Sequence, residues 1–265
     1  MAQVKIDDRL GGLELAYQID GGSDEVGACG FFFLGGFKSD MMGKKAEAMA
    51  DLARATRRRA LRFDYSGHGM SAGEFTDQVV SDWLEQAIHM FITHTRSKIV
   101  VVGSSMGGWL ALLLAKRLME EDKTAFRRIA GIVLLAPAAD MTQDLMWNTY
   151  NEAIRSQIRE HGIYHEPSAY GDAYEITARL LTDGLGHLIL RDGLELPFPV
   201  RIIQGTDDQD VPVDHAIKTF DALRGTDVTL TLVKKGDHRL SSPSQLKLIC
   251  DTALSLAERA DGVNY

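Results

Sequence analysis

The sequence has little cysteine, little proline and no excess of basic side chains. Its two cysteines, Cys29 and Cys250, are far apart in the chain and form no metal or redox motif, so we expect buried, reduced thiols. Six prolines exclude a collagenous or proline-rich linker protein. The formal charge of −8, from 29 basic and 37 acidic residues, argues against binding to nucleic acid or to anionic lipid.

An unbroken hydrophobic segment of membrane-spanning length is also lacking. Residues Ile99–Ala115 carry no charge, but the glycine-rich stretch Gly103–Gly108 interrupts them. A spanning helix needs about 20 apolar residues. The segment is better explained as a strand, a sharp turn and a buried helix. We therefore predict no integral membrane association.

What is present is typical of a soluble α/β protein, with 45% hydrophobic and 25% charged residues. After an opening hairpin, apolar strand-like runs alternate with helical segments, which predicts a mostly parallel sheet with helices on both faces. We predict eight strands: Val4–Asp8, Leu13–Ile19, Ala28–Leu34, Leu61–Tyr65, Lys98–Val102, Ile129–Leu135, Val200–Gln204 and Val228–Val233.

Four segments have helical composition or an apolar face: Lys44–Arg59, Asp77–Thr95, Trp109–Leu118 and Ser244–Ala257. The run Arg57–Arg59 is expected to form a solvated last turn, favoured by the helix dipole. The alternation fails between residues 138 and 196, a stretch rich in methionine and aromatic side chains, among them Trp147, Tyr150, Tyr164, Tyr170 and Tyr174. We predict one domain, 1–265, in which 138–196 is a small helical cap.

The segment Gly103-Ser104-Ser105-Met106-Gly107 has the spacing Gly-x-Ser-x-Gly between a predicted strand and a predicted helix. In this context the serine lies on a sharp, strained turn, which exposes its hydroxyl above the sheet. The glycine spacing centres on Ser105, so Ser105 and not Ser104 is the candidate nucleophile. The alternative is a glycine-rich strand-to-helix turn that carries no chemistry.

A serine nucleophile needs a base and an orienting carboxylate, which in this arrangement follow in the order acid, then histidine. Loops after two later strands hold such residues, at the strand ends where open α/β sheets build their sites. We predict Asp208 as the acid and His238 as the base. Asp207 and Asp210 are rivals for the acid, with Asp64 the next candidate.

Two backbone N–H groups are needed to bind the oxyanion that forms during acyl transfer. The residue after the serine, Met106, supplies one. The loop after the third strand, which begins Gly35-Gly36, supplies the other, and we predict the N–H of Phe37.

No cofactor or metal is predicted, because three suggestive motifs fail. Gly43-Lys44-Lys45 lacks the glycine and hydroxyl residues of a phosphate loop, and Gly67-His68-Gly69 misses the dinucleotide fingerprint. His161 and His165 are four residues apart but lack the glutamate of a zinc-protease helix.

These residues resemble the α/β-hydrolase superfamily, and within it the branch that contains the mitochondrial palmitoyl-protein thioesterase also called mycophenolic acid acyl-glucuronide esterase. The resemblance is carried by the segments Arg62–Ser71, Val102–Leu110, Asp207–Pro212 and Asp237–Arg239. It implies Ser105, Asp208 and His238 as the triad and an ester or thioester substrate with an apolar acyl part. No transit peptide like that of the animal proteins is recognisable, so we expect a bacterial, cytoplasmic relative.

The sequence thus predicts a cofactor-free serine hydrolase of carboxylic esters or thioesters, acting on a small molecule or an acylated protein. Two alternatives stay open: a C–C hydrolase or peptidase with the same triad, and a binding protein without turnover on this fold. We expect the cap to bind the acyl group through Met141 and Trp147, with Met146 and several tyrosines beside them. The alternative is that these residues only pack the cap onto the sheet.

Overall fold

The computed structural model describes residues 3–22, 27–167 and 173–262. These form ten strands: β1 (Lys5–Leu10), β2 (Leu13–Gly21), β3 (Gly30–Leu34), β4 (Arg59–Phe63), β5 (Ile99–Ser104), β6 (Ile129–Leu135), β7 (Ile163–Glu166), β8 (Tyr174–Thr177), β9 (Val200–Gly205) and β10 (Val228–Val233). They also form eight α-helices: α1 (Lys44–Thr56), α2 (Val80–His94), α3 (Met106–Glu121), α4 (Lys123–Phe126), α5 (Glu152–His161), α6 (Ala178–Gly184), α7 (Val213–Ala222) and α8 (Pro243–Ala260).

The main sheet has eight strands in the order β1-β2-β4-β3-β5-β6-β9-β10. Strand β2 runs antiparallel to β1 and β4, and the other neighbours pair in parallel. This confirms the predicted fold class, a mostly parallel eight-stranded sheet. The order also brings the carboxyl ends of β5, β9 and β10 to one edge, where open α/β sheets hold their sites.

Both faces of the sheet are covered, as strand β5 shows. Its side chains alternate, with Val101 packing into the cluster that contains α2 and α3, and Val100 and Val102 into the cluster that contains α1 and α8. All of these side chains are fully buried. Burying both faces of a parallel strand removes it from water throughout its length, and this explains its continuous Val/Ile composition.

Helix α2 contacts the sheet through one apolar stripe. Val80, Trp83, Ala87 and Phe91 recur at helical spacing, and all four are fully buried. Such a stripe stabilises a helix mainly through tertiary packing, at roughly 25 cal/mol for each Å² of apolar surface removed from water. The stripe therefore fixes α2 beside the loop that follows β4, which Trp83 contacts.

The run Arg57–Arg59 is not the solvated last turn of a helix that the sequence predicted. Helix α1 ends at Thr56, Arg57 adopts a left-handed conformation with φ of 56°, and Arg59 begins β4. Arg58 is buried, and its guanidinium pairs with Asp261 and donates to the backbone carbonyl of Cys29. These partners are distant in the sequence, so the sequence pattern could not predict the burial of Arg58.

Both cysteines are free thiols. Cys29 is fully buried, and burial raises the pKa of its thiol to about 12. Cys250 is only half-buried and donates to the carbonyl of Ala48. The expectation of buried thiols therefore holds in full for Cys29 alone.

The sequence predicted a helical cap between β6 and β9, but this segment contains both helices and strands. A π-helical turn, Thr142–Trp147, leads into α5, and an antiparallel hairpin of β7 and β8 precedes α6. Tyr170 lies outside the described residues. Among the helices that the structure describes, none is long and apolar enough to cross a membrane.

Candidate active site

Ser105 lies on a sharp turn between β5 and α3. Its backbone has φ of 54° and ψ of −118°, a combination that is rare for a residue with a side chain. The turn is tight because its flanking residues are glycines. A Cβ at Gly103 would lie 2.2 Å from the carbonyl oxygen of Gly107, and a Cβ at Gly107 would lie 2.1 Å from that of Leu34. The Gly-x-Ser-x-Gly spacing is therefore a steric requirement of this turn.

Asp208 lies in the loop after β9, and its carboxylate is completely buried and fully hydrogen-bonded. Oδ1 accepts from the backbone N–H groups of Val211 at 2.8 Å and Asp210 at 3.0 Å. Oδ2 accepts from the Gln204 amide at 3.0 Å and pairs with His238. Burial raises the pKa of this carboxyl, but the bonds from His238, Val211 and Gln204 outweigh burial, so the pKa lies below its ordinary value. Asp208 is therefore ionised near neutral pH.

His238 follows β10 and connects the other two side chains. Its Nδ1 lies 2.9 Å from Asp208 Oδ2, and its Nε2 lies 3.0 Å from Ser105 Oγ. An ionised carboxylate can only accept, so Nδ1 carries the proton and Nε2 presents a lone pair to the serine hydroxyl. This arrangement can remove the proton of Ser105 as its oxygen attacks a substrate.

The rival acids have different surroundings. Asp207 and Asp210 are both exposed, although Asp210 borders the cavity at the site. Asp64 is buried, but its carboxylate accepts from the backbone N–H groups of Met41 and Met70. Asp208 is the aspartate whose carboxylate hydrogen-bonds to Nδ1 of His238, at 2.9 Å.

The two proposed oxyanion donors lie beside the serine. Met106 is the first residue of α3, where the N–H groups of a helix have no intrahelical acceptor. The loop that carries Phe37 passes next to the turn, since a Cβ at Gly36 would lie 3.3 Å from the Cβ of Ser105. The aromatic ring of Phe37 packs against Phe75, Trp83 and Tyr174.

A cavity of about 610 Å³ opens at Ser105 and His238. Its apolar wall comes from the loop after β3 and from the segment between β6 and β9: Phe37, Ala138, Met141, Leu145, Met146 and Tyr174. Its polar lining includes Asp40 from the loop before α1, Lys44 and Lys45 from the start of α1, and Arg239 and Ser241 from the loop after β10. The cavity therefore presents both apolar and polar groups to a substrate at Ser105.

Trp147 does not line this cavity, although the sequence predicted it as a substrate contact. Its neighbour Met146 faces the cavity, and consecutive helical residues point to different sides of a helix. The indole packs instead on Arg155, whose guanidinium carbon lies 5.3 Å from the ring centroid. Met141 does line the cavity, as predicted. Tyr150 is buried against Tyr164 and is not part of the lining.

Two supporting residues were missed from the sequence. Gln204 is fully buried near the end of β9, and its amide also donates to the carbonyl of Val211 at 2.9 Å. This hydrogen bond holds the loop that carries Asp208. A polar residue at the end of an apolar strand, just before the acid, was the available signal. Lys45 donates to the carbonyl of Arg239 at 2.6 Å, and burial lowers the pKa of its ammonium to about 8. Nothing in the sequence distinguished Lys45 from other helical lysines.

One group of acidic and histidine side chains in the described ranges has the spacing of a metal site: Asp208, Asp210 and His238. Two of its members already hydrogen-bond to each other, and the imidazole faces Ser105 with its other nitrogen. A metal ion there would replace the bond that orients His238. These donors therefore suit proton transfer better than metal ligation.

Comparison with known proteins agrees with this geometry. Residues 31–246 match the model of the α/β-hydrolase family. The mitochondrial palmitoyl-protein thioesterase ABHD10 of Homo sapiens is 26% identical over 232 residues, which are 87% of this chain and 73% of that protein. Its name places the human protein in the mitochondrion, and the cytoplasmic location of this chain stays a prediction.

Two solved structures are similar over nearly the whole chain. A protein from Agrobacterium vitis S4, named as a candidate hydrolase, has 36% identity and a TM-score of 0.90, covering 97% of this chain and 99% of that one. The α/β-hydrolase domain-containing protein 10 from mouse has 26% identity and a TM-score of 0.85, covering 98% and 100%. With a family match that spans most of its length and the sheet order described above, this chain belongs to the α/β-hydrolase family.

Proposed function

We propose that this protein is a serine hydrolase that cleaves carboxylic esters or thioesters through an acyl-enzyme. The proposal rests on the two hydrogen bonds that connect Asp208 to His238 and His238 to Ser105. The serine lies on a strained turn at the cavity. The name of the human relative, a palmitoyl-protein thioesterase, supports the substrate class. The proposal requires no cofactor.

In the proposed reaction each residue of the site has a defined role. Ser105 Oγ attacks the acyl carbon while His238 Nε2 takes the hydroxyl proton, and Asp208 stabilises the resulting imidazolium. The carbonyl oxygen becomes an oxyanion, which accepts from the N–H groups of Phe37 and Met106. His238 then gives its proton to the departing oxygen or sulfur, and the acyl group remains on Ser105. A water molecule then attacks the acyl carbon while His238 takes one of its protons. The bond between Ser105 Oγ and the acyl carbon breaks, His238 returns the proton to Ser105, and the carboxylic acid leaves.

A serine-directed probe tests the proposal. We expect a fluorophosphonate to label the folded protein once, on the peptide that contains Ser105, as read by mass spectrometry. Heat-unfolded protein is the control and should not react, since activation depends on the assembled site. A folded protein that stays unlabelled would favour a binding protein without turnover.

The cavity also predicts a dependence on acyl chain length. If the apolar wall binds the acyl group, kcat/KM should rise by up to roughly fourfold per methylene, from about 0.8 kcal/mol per buried CH₂, and then level off. The measurement is kcat/KM for p-nitrophenyl esters and for acyl thioesters from short to long chains. Met141→Trp, which narrows the cavity, should move the best substrate to a shorter chain.

Trp147→Ala is the matched control, because Trp147 lies outside the lining and its loss should leave the profile unchanged. A flat profile, or an equal shift in both variants, would mean that the cap residues pack the fold and bind no acyl group. Faster cleavage of peptide amides or of 1,3-diketones than of esters would favour a peptidase or a C–C hydrolase.

A further inference from the structure

The loop after β4 is bound to the loop that carries the proposed oxyanion donor. His68 Nε2 lies 3.1 Å from the backbone nitrogen of Lys38, the residue directly after Phe37. Asp64 Oδ1 lies 2.6 Å from the backbone nitrogen of Met41, further along the same loop. Two side chains of one loop thus hold the backbone of the other.

The hydrogen bonds of His68 determine its tautomer. Its Nδ1 lies 3.1 Å from the carbonyl oxygen of Ser66, which can only accept, so Nδ1 carries a proton. Nε2 then has a lone pair and accepts from the N–H of Lys38. A doubly protonated ring would place two donors against each other at this contact. The bond to Lys38 therefore requires a neutral imidazole.

The surroundings of His68 favour that neutral form. The residue is 4% exposed, and its ring packs against Tyr65, Phe75 and Trp83. Burial, together with the nearby charge of Lys38, lowers the pKa of His68 to about 4, although the hydrogen bond to Ser66 opposes this shift. His68 remains an acceptor throughout the neutral range.

The loop that His68 contacts needs such support. Lys38 has φ of 52°, a left-handed conformation that is uncommon for residues with a side chain. The peptide that joins Phe37 to Lys38 is rigid, so fixing the N–H of Lys38 limits how the preceding residue can turn. The Phe37 ring also packs on Phe75 and Trp83, which His68 contacts. Imidazole and loop therefore share one aromatic cluster.

We propose that His68 is a positioning residue, whose neutral imidazole accepts from Lys38 and thereby aims the N–H of Phe37 at the substrate oxyanion. This inference rests on the proposed function, because it concerns the transition state of the same reaction. His68 exchanges no proton with the substrate. Its effect is on kcat, since an oxyanion exists only in the transition state and the intermediates.

The test compares two substitutions of His68. His68→Phe keeps a buried ring but removes the acceptor, and we expect kcat to fall about 10–100-fold with KM nearly unchanged, as displaced oxyanion donors do. The inhibition constant of an acyl trifluoromethyl ketone, which forms a tetrahedral oxyanion on the serine, should rise by the same factor. His68→Gln restores an acceptor and should recover most of the loss.

His94→Phe is the matched control, because it makes the same change at the end of α2, beside Asp7 and Tyr17, and should leave kcat unchanged. A merely structural role would lower thermal stability equally in His68→Phe and His68→Gln without a selective change in the ketone affinity. That outcome, or unchanged kcat in His68→Phe, would overturn the inference.

A spectroscopic measurement on the unmodified protein completes the test. Nitrogen NMR of histidine-labelled protein should show His68 at neutral pH with a protonated Nδ1 and an unprotonated Nε2. The opposite tautomer would overturn the positioning role and leave the proposed function intact. A wild-type protein that turns over no acyl ester or thioester, by contrast, would overturn both.

Discussion

Ser105→Ala is expected to remove nearly all turnover while the protein stays folded. In the proposed reaction Ser105 Oγ forms the covalent bond to the acyl carbon, and loss of a triad nucleophile lowers kcat by on the order of 10³-fold or more. The substitution removes one oxygen from a half-buried position and needs no new space. The measurement is kcat with the best ester of the chain-length series, beside thermal unfolding of both proteins.

The neighbouring Ser104 provides the control. It is the last residue of β5, and the hydroxyl that lies 3.0 Å from Nε2 of His238 is that of Ser105. Ser104→Ala should therefore lose less than about tenfold in kcat. A Ser105→Ala protein that retains more than a few per cent of wild-type turnover would mean that another residue is the nucleophile.

Asp208→Asn is expected to lower kcat by about 10³–10⁴-fold. The amide can donate toward Nδ1 of His238 and so favours the tautomer whose proton sits on Nε2, where it no longer accepts from Ser105. The size and packing of the side chain hardly change, so the fold should persist. Asp208 also accepts two backbone N–H bonds through Oδ1, and these keep its loop in place.

Asp207→Asn and Asp210→Asn are the matched controls, because they change the same chemistry within the same loop. Both carboxylates are exposed, and each substitution should alter kcat by less than about threefold. Equal and mild effects at all three positions would place the acid elsewhere and contradict the proposed triad.

Much of the central sheet could be predicted from the sequence, because its strands have strong local patterns. The predicted bounds of β6 and β10 agree with the structure residue for residue. Strand β6 is buried on both faces and reads as a continuous apolar run, whereas β10 is an edge strand whose Thr and Leu residues alternate. Both patterns arise from the strand itself and need no knowledge of its neighbours.

Helix α7 and the hairpin of β7 and β8 were missed. Helix α7 has apolar residues at helical spacing (Val213, Ala216, Ile217 and Phe220), but it buries His215, Ala216 and Thr219 and leaves Ile217 exposed, so its buried face does not coincide with its apolar residues. The hairpin of β7 and β8 has only four residues in each strand and few apolar positions. Short elements of this kind are stabilised by the residues around them, which single-sequence patterns do not contain.

The sequence by itself was enough to predict Ser105 and His238 as the nucleophile and the base of the candidate site. Gly103 and Gly107 are required by close backbone contacts within one turn, and His238 follows a strand whose end is visible in the sequence. Only the tertiary structure shows the hydrogen bond between Asp208 and His238, the packing of Trp147 on Arg155 and the hydrogen bond that His68 accepts from the N–H of Lys38. Burial and hydrogen-bond partners, which give one carboxylate or one imidazole its role, come from residues far away in the chain.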